Sequence, residues 1–163
     1  MRRFNFLGWI FGDESYVVKN YLRKLRYLEY YTNKKKNLWD YIIYAYYFIS
    51  FRRASIKTGI RLNVNTIGKG LYIPHYVGGI YANCESMGEN CIISTGCLGN
   101  KSGLKGGKPT IGNNVEIVVG AKVIGKGRVG NNVIIAPNSV VIKDIPDNVI
   151  VSGVPAKIIK MRE

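Results

Sequence analysis

Residues 111–146 read IGNNVE IVVGAK VIGKGR VGNNVI IAPNSV VIKDIP when the chain is divided into sixes from Ile111. The first residue of every six is isoleucine or valine, and the fifth is mostly small or β-branched, as in Val115, Ala121 and Ser139. A period of six differs from the period of about 3.6 of an α-helix and of about 2 of a plain strand. Further hexads of the same kind precede this stretch and begin at Ile67, Ile73, Met87 and Ile93, with an interruption of two residues after the second.

A hexad repeat is typical of a parallel β-helix, in which each six residues form a short strand and a turn, and three hexads complete one triangular coil. The aliphatic first residue then points into the bore, the small fifth residue lies near it, and Asn-Asn and glycine pairs supply the turns. A sandwich of short strands predicts alternating polarity and spacings of roughly 8–12 residues instead. We therefore predict a mainly β fold, with the β-helix over residues 59–163.

Residues 1–58 contain no proline, few glycines and most of the aromatic residues. We predict here a short α-helical N-terminal segment. Its first helix would run from an N-cap at Ser15 to about Tyr31, with an inward face of Val18, Tyr21, Leu22, Leu25 and Leu28. Its second helix, 37–53, would begin with a capping box of Asn37 and Asp40. The predicted apolar face of that helix comprises Leu38, Tyr41, Ile42, Ala45, Phe48 and Ile49.

The histidine and cysteine content limits the metal sites and disulfides that the chain can form. His75 is the only histidine, so one chain lacks the two or three histidines of many catalytic zinc sites, including that of a γ-type carbonic anhydrase, and we expect no metal. The three cysteines form neither a CxxC pair nor an even set, which favours a reduced, cytoplasmic chain. Of these, Cys91 and Cys97 occupy fifth positions and are expected to face inward. The apolar stretches 4–11 and 39–51 are too short for a membrane span of about 20 residues, and no secretory signal is expected.

The net charge is +14, from 24 basic and 10 acidic residues, and it favours anionic partners. Thirteen of the basic and four of the acidic residues lie in the first 62. Because no nucleic-acid-reading motif is present, we interpret this charge as attraction to an anionic substrate or membrane surface and expect no nucleic acid. The helix 37–53 is aromatic nearly all round and has basic residues at both ends. It is predicted to attach the β-helix to a subunit interface or to a membrane surface.

Four stretches carry a resemblance to a known family: IGKGLYIPHYVGGI (67–80), GCLGNKSGLKGGKPTIG (96–112), GAKVIGKGRVGNNVIIAPNSVV (120–141) and SGVPAKII (152–159). Over roughly residues 60–160 the chain resembles the hexapeptide-repeat acyltransferases, above all the serine acetyltransferases and their relatives in surface-polysaccharide clusters. The resemblance implies a left-handed β-helix and a homotrimer. It also implies acetyl-CoA as co-substrate, bound in a groove between the coils of adjacent subunits.

The resemblance also implies site residues. The catalytic histidine of the family aligns with His75, and an imidazole with a pKa near ~6.5 is suited to take a proton from an acceptor hydroxyl at neutral pH. The loop 99–108 breaks the repeat, and Lys108 or a backbone N–H of this loop would hold the thioester oxyanion. The positions implied to bind the cofactor are Gly99, Val119, Gly120, Pro137 and Asn138, with Lys143 and Lys157 for the nucleotide phosphates.

Three departures separate the chain from the serine acetyltransferase pattern. Pro74 stands where an aspartate usually precedes the histidine, and Lys108 stands where a second histidine usually precedes the proline. The stretch 60–63 has no carboxylate to orient the imidazole. We therefore predict an acetyl-CoA-dependent O-acetyltransferase that acts on a sugar hydroxyl in capsular or exopolysaccharide biosynthesis. Serine O-acetylation and a non-catalytic β-helical scaffold subunit are the alternatives.

Overall fold

The computed structural model describes residues 13–35, 37–76, 78–100 and 107–162. The chain folds into two compact units that divide after Ile60. The elements in the described residues are α1 (Glu14–Asn33), α2 (Leu38–Thr58), β1 (Ile60–Leu62), β2 (Ile80–Ala82), β3 (Ser86–Met87), β4 (Ile92–Ile93), β5 (Gly96–Gly99), β6 (Thr110–Ile111), β7 (Glu116–Ile117), β8 (Ala121–Ile124), β9 (Arg128–Val129), β10 (Ile134–Ile135), β11 (Val140–Val141), β12 (Val149–Gly153) and β13 (Ala156–Met161). The helices therefore precede the strands along the chain.

The N-cap of α1 is Asp13 and not the predicted Ser15. Oδ1 of Asp13 accepts a hydrogen bond from the Ser15 N–H at 2.9 Å, and Ser15 lies in the first turn. An aspartate caps a helix as well as a serine does, and its charge also favours the positive end of the helix dipole. The predicted inward face is confirmed for its buried members Val18, Tyr21, Leu25 and Leu28.

The predicted capping box of α2 is confirmed. The Asp40 N–H donates to Oδ1 of Asn37 at 2.9 Å, and the Asn37 N–H donates to Oδ2 of Asp40 at 3.2 Å. The helix continues beyond the predicted residue 53 and ends at Thr58. It ends there because Gly59 adopts a left-handed conformation, with a φ of 70°, which glycine reaches without a Cβ clash.

The face of α2 that packs on α1 is not the predicted apolar face. Tyr47 stacks on Tyr27 and Tyr31, with ring centroids 4.9 and 5.9 Å apart, and the ring of Phe51 lies 5.1 Å from that of Tyr21. Because twelve of the fourteen residues 38–51 are apolar or aromatic, periodicity alone does not identify the side that meets its neighbour. The predicted face is exposed at Leu38, Tyr41, Ile42, Ala45, Phe48 and Ile49.

The repeat forms a parallel β-helix with three sheets. Sheet 1 has the order β1-β2-β5-β8-β11, sheet 2 the order β3-β6-β9, and sheet 3 the order β4-β7-β10-β12-β13. Glu116 pairs with Ile134 and Val123 with Val141, each eighteen residues on, so three hexads make one coil. In sheet 3 the last strand, β13, turns back antiparallel to β12.

The bore of the β-helix is filled as the hexad pattern predicts. The first positions Ile111, Ile117, Val123, Val129, Ile135 and Val141 are at most 2% exposed, and the fifth positions Val115, Ala121, Val133 and Ser139 are fully buried. Cys91 is buried as expected, but the prediction for Cys97 is wrong. In β5 the buried residue is Leu98, which pairs with buried Ala82, so Cys97 faces outward opposite Tyr81. Neighbouring residues of a strand point to opposite faces.

Asparagines shape the corner between sheets 2 and 3. Asn90, Asn114, Asn132 and Asn148 lie there in successive coils, with φ between 54° and 58°. Asparagine enters this left-handed region more readily than other residues with a side chain. Their neighbours form a ladder across three coils: the Asn113 N–H donates to Oδ1 of Asn131 at 2.9 Å, and the Asn131 N–H donates to Oδ1 of Asp147 at 2.8 Å.

The outer faces of sheets 2 and 3 differ in polarity. Sheet 2 presents polar residues, with Ser86, Thr110 and Arg128 in register. Sheet 3 presents a mostly apolar row. We call this row the sheet 3 stripe; it consists of Tyr72, Ile92, Glu116, Ile134 and Ile150.

Candidate active site

His75 lies at the corner where the chain passes from sheet 3 to sheet 1. Tyr72 bridges to Ile92 of the next coil, and Ile73 is buried in the bore. These two contacts fix the chain on one side of the corner. The side chain of His75, two residues beyond Ile73, is exposed, so a ligand in solution has access to the imidazole.

A glycine turn follows His75 and distinguishes this corner from those below it. The Gly79 N–H donates to the Tyr76 carbonyl at 3.1 Å, and Gly78 and Gly79 have φ values of 103° and 80°. Ile67 bridges to Met87 twenty residues on, two more than in a regular coil, and the turn accommodates these extra residues. A Cβ on Gly78 would lie 3.6 Å from the methyl group of Thr95. The turn therefore sits directly against the corner of the next coil.

The corner continues through the coils below as a column. The Gly120 N–H donates to Oγ1 and to the carbonyl of Thr95, each at 3.1 Å, and the Asn138 N–H donates to the Val119 carbonyl at 3.0 Å. Gly120 has a φ of 73°, and a Cβ there would overlap the side-chain amide of Asn138. The structure thus places Val119, Gly120, Pro137 and Asn138, predicted to bind the cofactor, at the same corner as His75. Thr95 was not predicted as a site residue, although it lies twenty residues after His75 and therefore one coil further along the β-helix.

Lys157 lies at the lower end of this corner column. It pairs with Ser152 across the β12–β13 hairpin, and it is exposed. The Gly153 N–H donates to the buried Oγ of Ser139 at 3.2 Å, which ties the hairpin to the coil above it. A cation therefore stands at the far end of the column from His75.

Gly99, Lys108 and Lys143 lie at a different corner, between sheets 1 and 2. The Gly125 N–H donates to the Gly99 carbonyl at 2.9 Å, and Lys143 is exposed in the coil below. Lys108 is half-buried and precedes buried Pro109. The structure of one chain therefore does not bring these three residues to His75. The remaining predicted loop residues, 101–106, lie outside the described residues.

A surface cavity of about 300 Å³ adjoins this second corner. Its lining includes the cations Lys108, Lys126 and Arg128 and the carboxylates Glu85 and Asp144. The Arg128 N–H donates to Oδ1 of Asp144 at 2.8 Å. Sequence reasoning missed this cluster, although outward hexad positions of sheet 2 supply Arg128 and Asp144.

No carboxylate lies on β1 or on the residue after it. Arg61 stands over the ring of Tyr81 at 5.9 Å, and Nδ2 of Asn63 donates to Oδ1 of Asn83 at 2.8 Å. This stretch thus supplies cationic and amide groups and no negative charge.

Two of the three thiols, those of Cys84 and Cys91, have the properties of core residues. Cys84 and Cys91 are buried, and burial raises the pKa of both thiols above the usual value. A raised pKa leaves little thiolate at neutral pH, so neither thiol is suited to be a nucleophile. Within the described residues, no group of three or more His, Cys, Asp and Glu side chains is placed to hold a metal ion. Across the same residues, no helix has the length and apolar character to span a membrane.

Curated relatives match almost two thirds of the chain. A serine acetyltransferase of Synechococcus elongatus is 35% identical over 107 residues, 64% of this chain and 44% of the relative. A serine acetyltransferase of Staphylococcus aureus is 39% identical over 106 residues, 63% of this chain and 50% of the relative. Over the matched residues the chain is serine acetyltransferase-like. The chain spans about half the length of these relatives. No family model matches it.

Solved structures agree with this serine acetyltransferase-like assignment. Serine acetyltransferase of Neisseria gonorrhoeae has a TM-score of 0.69 at 27% identity and covers 88% of this chain and 54% of its own. The complex of that enzyme with serine has a TM-score of 0.60 at 31% identity, covering 69% and 47%. The Brucella abortus enzyme in complex with coenzyme A has a TM-score of 0.64 at 26% identity, covering 87% and 55%. The predicted left-handed parallel β-helix with preceding helices is confirmed.

Proposed function

We propose that this chain is an acetyl-CoA-dependent O-acetyltransferase with His75 as its general base. The observation that carries the proposal is the corner column, which runs in register from His75 through Thr95, Gly120 and Asn138 towards Lys157. The likeness of the chain to serine acetyltransferases supports this choice of reaction, as do the related structures with coenzyme A and with serine.

The proposed reaction is a direct acyl transfer. The imidazole of His75 takes the proton of the acceptor hydroxyl as the hydroxyl oxygen bonds to the thioester carbonyl carbon. The tetrahedral intermediate collapses with cleavage of the C–S bond, and the CoA thiolate receives the proton from the imidazolium. Lys108 or a backbone N–H of the 99–108 loop would stabilise the oxyanion.

We propose that the column is the site of the pantetheine arm. Val119 is exposed in one coil and Pro137 and Asn138 in the next, so an extended chain would lie against them. Lys157 at the lower end and Lys143 at the neighbouring corner would meet the phosphates of the nucleotide. We propose acetyl-CoA as the co-substrate on this ground.

Serine is the acceptor that the relatives favour, in place of the sugar predicted from the sequence. The matching curated proteins are named serine acetyltransferases, and one related structure holds serine. A sugar hydroxyl is the second candidate, and one observation favours it. The described corner column and β1 contain no carboxylate that would pair with the ammonium group of an amino acid.

The release of free CoA thiol distinguishes these acceptors. Purified full-length chain is supplied with acetyl-CoA and either L-serine or nucleotide-linked sugars, and the acetylated product is identified by mass spectrometry. Release with serine alone supports the first acceptor, and release with a sugar alone supports the second. If no acceptor releases CoA above the rate of hydrolysis and calorimetry detects no CoA binding, the acetyltransferase proposal is wrong and a scaffold role gains support.

We also propose that the protein is a homotrimer. The predicted site residues divide between two corners of the triangular coil, and a neighbouring copy in a closed ring would bring one corner to the other. The sheet 3 stripe beside His75 supplies an apolar face for such a contact.

The three cysteines are free thiols, which supports a reducing compartment such as the cytoplasm.

A further inference from the structure

One face of α2 is apolar and exposed along the length of the helix. We call it the α2 stripe; it consists of Leu38, Ile42, Ala45, Ile49 and Ile56. Spacings of three, four and seven residues place these side chains on one side of a helix. Leu38 and Ile56 at its ends are 77% and 85% exposed, and Ile42 and Ile49 between them are 56% and 51% exposed. The stripe lies opposite the face on which Tyr47 and Phe51 pack against α1.

Aromatic side chains border the α2 stripe. Trp39 is 73% exposed, Tyr46 65% and Tyr41 57%. Tryptophan and tyrosine combine an apolar ring with a polar group, and they concentrate where hydrocarbon meets water at a membrane surface. The composition of this face is therefore that of an interfacial helix.

The charge around the α2 stripe is positive, and α2 has no exposed carboxylate to balance it. Lys35, Arg52, Arg53 and Lys57 are exposed. The single carboxylate of α2, Asp40, is buried and bound to Nζ of Lys34 at 3.0 Å. Such a surface is complementary to anionic headgroups, each basic residue near the surface contributing about 1 kcal/mol of attraction.

The same charges disfavour a second copy of this helix as the occupant. Arg52 and Arg53 stand in the stripe between Ile49 and Ile56 and would enter a contact between two such faces. No carboxylate of α2 is available to pair with them, since Asp40 is buried. Like charges brought together in a contact are destabilising.

We propose that the α2 stripe binds the surface of a bilayer that contains anionic phospholipid. The helix would lie in the plane of the interface, with its isoleucines among the upper acyl chains and its arginines at the phosphates. It would not cross the bilayer, in keeping with the lack of a membrane-spanning helix in the described residues. The α2 stripe shares no residue with the corner column, so the proposal does not rest on the acetyltransferase function.

Fluorescence and flotation test the proposal with the full-length protein. The variant W9F leaves Trp39 as the sole tryptophan. Vesicles of phosphatidylcholine mixed with phosphatidylglycerol should shift its emission to shorter wavelength and float with the protein. Vesicles of phosphatidylcholine alone should do neither, because they offer no net negative charge. Equal binding to both kinds of vesicle, or binding to neither, would overturn the proposal.

Paired variants locate the binding surface. Ile42→Gln with Ile49→Gln, and separately Arg52→Glu with Arg53→Glu, should each weaken vesicle binding at least about tenfold, through lost apolar burial and lost headgroup attraction respectively. These positions are exposed, so circular dichroism should show an unchanged fold. The matched control is Lys122→Glu with Lys160→Glu, which alters net charge by the same amount as the arginine pair on exposed strands of the β-helix.

The outcomes separate lipid from other occupants. Loss of binding in both α2 pairs with retention in the control supports the α2 stripe as the lipid site. An equal loss in the control would show that net charge alone drives binding, and the proposal would be wrong. If Ile42→Gln with Ile49→Gln leaves vesicle binding intact but changes the sedimentation coefficient, the stripe is a contact between copies instead.

Discussion

His75 carries the proposed chemistry as a single exposed imidazole beside a glycine turn. We expect His75→Ala to lower kcat by about 10²–10⁴-fold, the usual contribution of a general base. The affinity for CoA, measured by calorimetry, should remain within about threefold, because the base contacts the acceptor hydroxyl and not the cofactor. Activity of the variant close to that of the wild type would mean that another group takes the proton.

Asp147 is the residue whose titration should affect the stability of the β-helix. The Asn131 backbone N–H and side-chain amide bind its carboxylate at 2.8 and 3.2 Å and lower its pKa below the ordinary value near 3.8. A carboxyl with a lowered pKa in the folded state stabilises the fold above its ordinary pKa, and this contribution disappears as the pH falls through the lowered value.

The loss of stability at acid pH should therefore be smaller in the variant Asp147→Asn than in the wild type. We expect the wild-type Tm to fall by more than that of the variant as the pH is lowered below the ordinary pKa near 3.8, while the variant is already less stable at neutral pH. Thermal unfolding followed across this range measures both effects. Parallel acid limbs in the two proteins would exclude a contribution from this carboxylate.

Among the structural elements, the corner between sheets 2 and 3 brings the backbones of successive coils close together. A Cβ added to Gly112 would lie 2.5 Å from the Gly130 carbonyl oxygen, a backbone atom of the next coil. We expect Gly112→Ala to lower the free energy of unfolding by about 1–3 kcal/mol, because neither backbone can yield without disturbing its coil. Denaturant titration measures the change.

Gly127 provides the comparison for Gly112. It is also a glycine of the hexad repeat, but a Cβ there would lie 3.5 Å from the Lys143 carbonyl oxygen, an ordinary contact. Gly127→Ala should therefore alter the free energy of unfolding by less than about 0.5 kcal/mol. Equal destabilisation by the two substitutions would show that the spacing of the coils does not determine the cost.

The same elements show where sequence reasoning succeeds and where it does not. The hexad period identifies the bore residues from Ile111 to Val141, because each coil places the same hexad position in the same environment. The period does not fix the phase around an interruption, so Cys97, next to the 99–108 loop, faces outward against expectation. Over residues 38–51 of α2 the sequence is too uniformly apolar to indicate which side of the helix is buried. Tertiary contacts such as that of Tyr47 with Tyr27 decide this instead.

For the molecule as a whole, the sheet 3 stripe is the surface on which the proposed trimer depends. Ile134 is the fourth of its five residues, and its half-buried side chain faces outward between Glu116 and Ile150. We expect Ile134→Glu to convert the trimer to monomers, because a charge at the core of an interface loses its hydration without a partner. Sedimentation equilibrium measures the mass. Ser86→Glu, on the polar outer face of sheet 2, should leave the mass unchanged, and a trimeric Ile134→Glu protein would place the contact elsewhere.

The sequence predicts which corner of the β-helix each site residue occupies, but it does not predict the distances between site residues at different corners. Counting eighteen residues per coil assigns Val119 and Pro137 to one corner of the helix, and the two extra residues after His75 bring Thr95 to the same corner. Counting cannot relate this corner to the one that holds Lys108, because that relation depends on neighbouring copies. The mixed-charge cavity beside Lys108 was missed for a related reason, since its residues come from four coils and form no contiguous motif.

The residues added to the coil after His75 and at the 99–108 loop are confined to corners, and the sheets resume their register beyond them. Lengthening a surface loop costs little, about 0.6 kcal/mol for each doubling of its length. The corners are thus places where chain can be added or exchanged while the stacked strands stay as they are. Under the proposed function, a chimaera that exchanges the 99–108 loop should therefore change the chemistry of the site while the stacked strands stay folded.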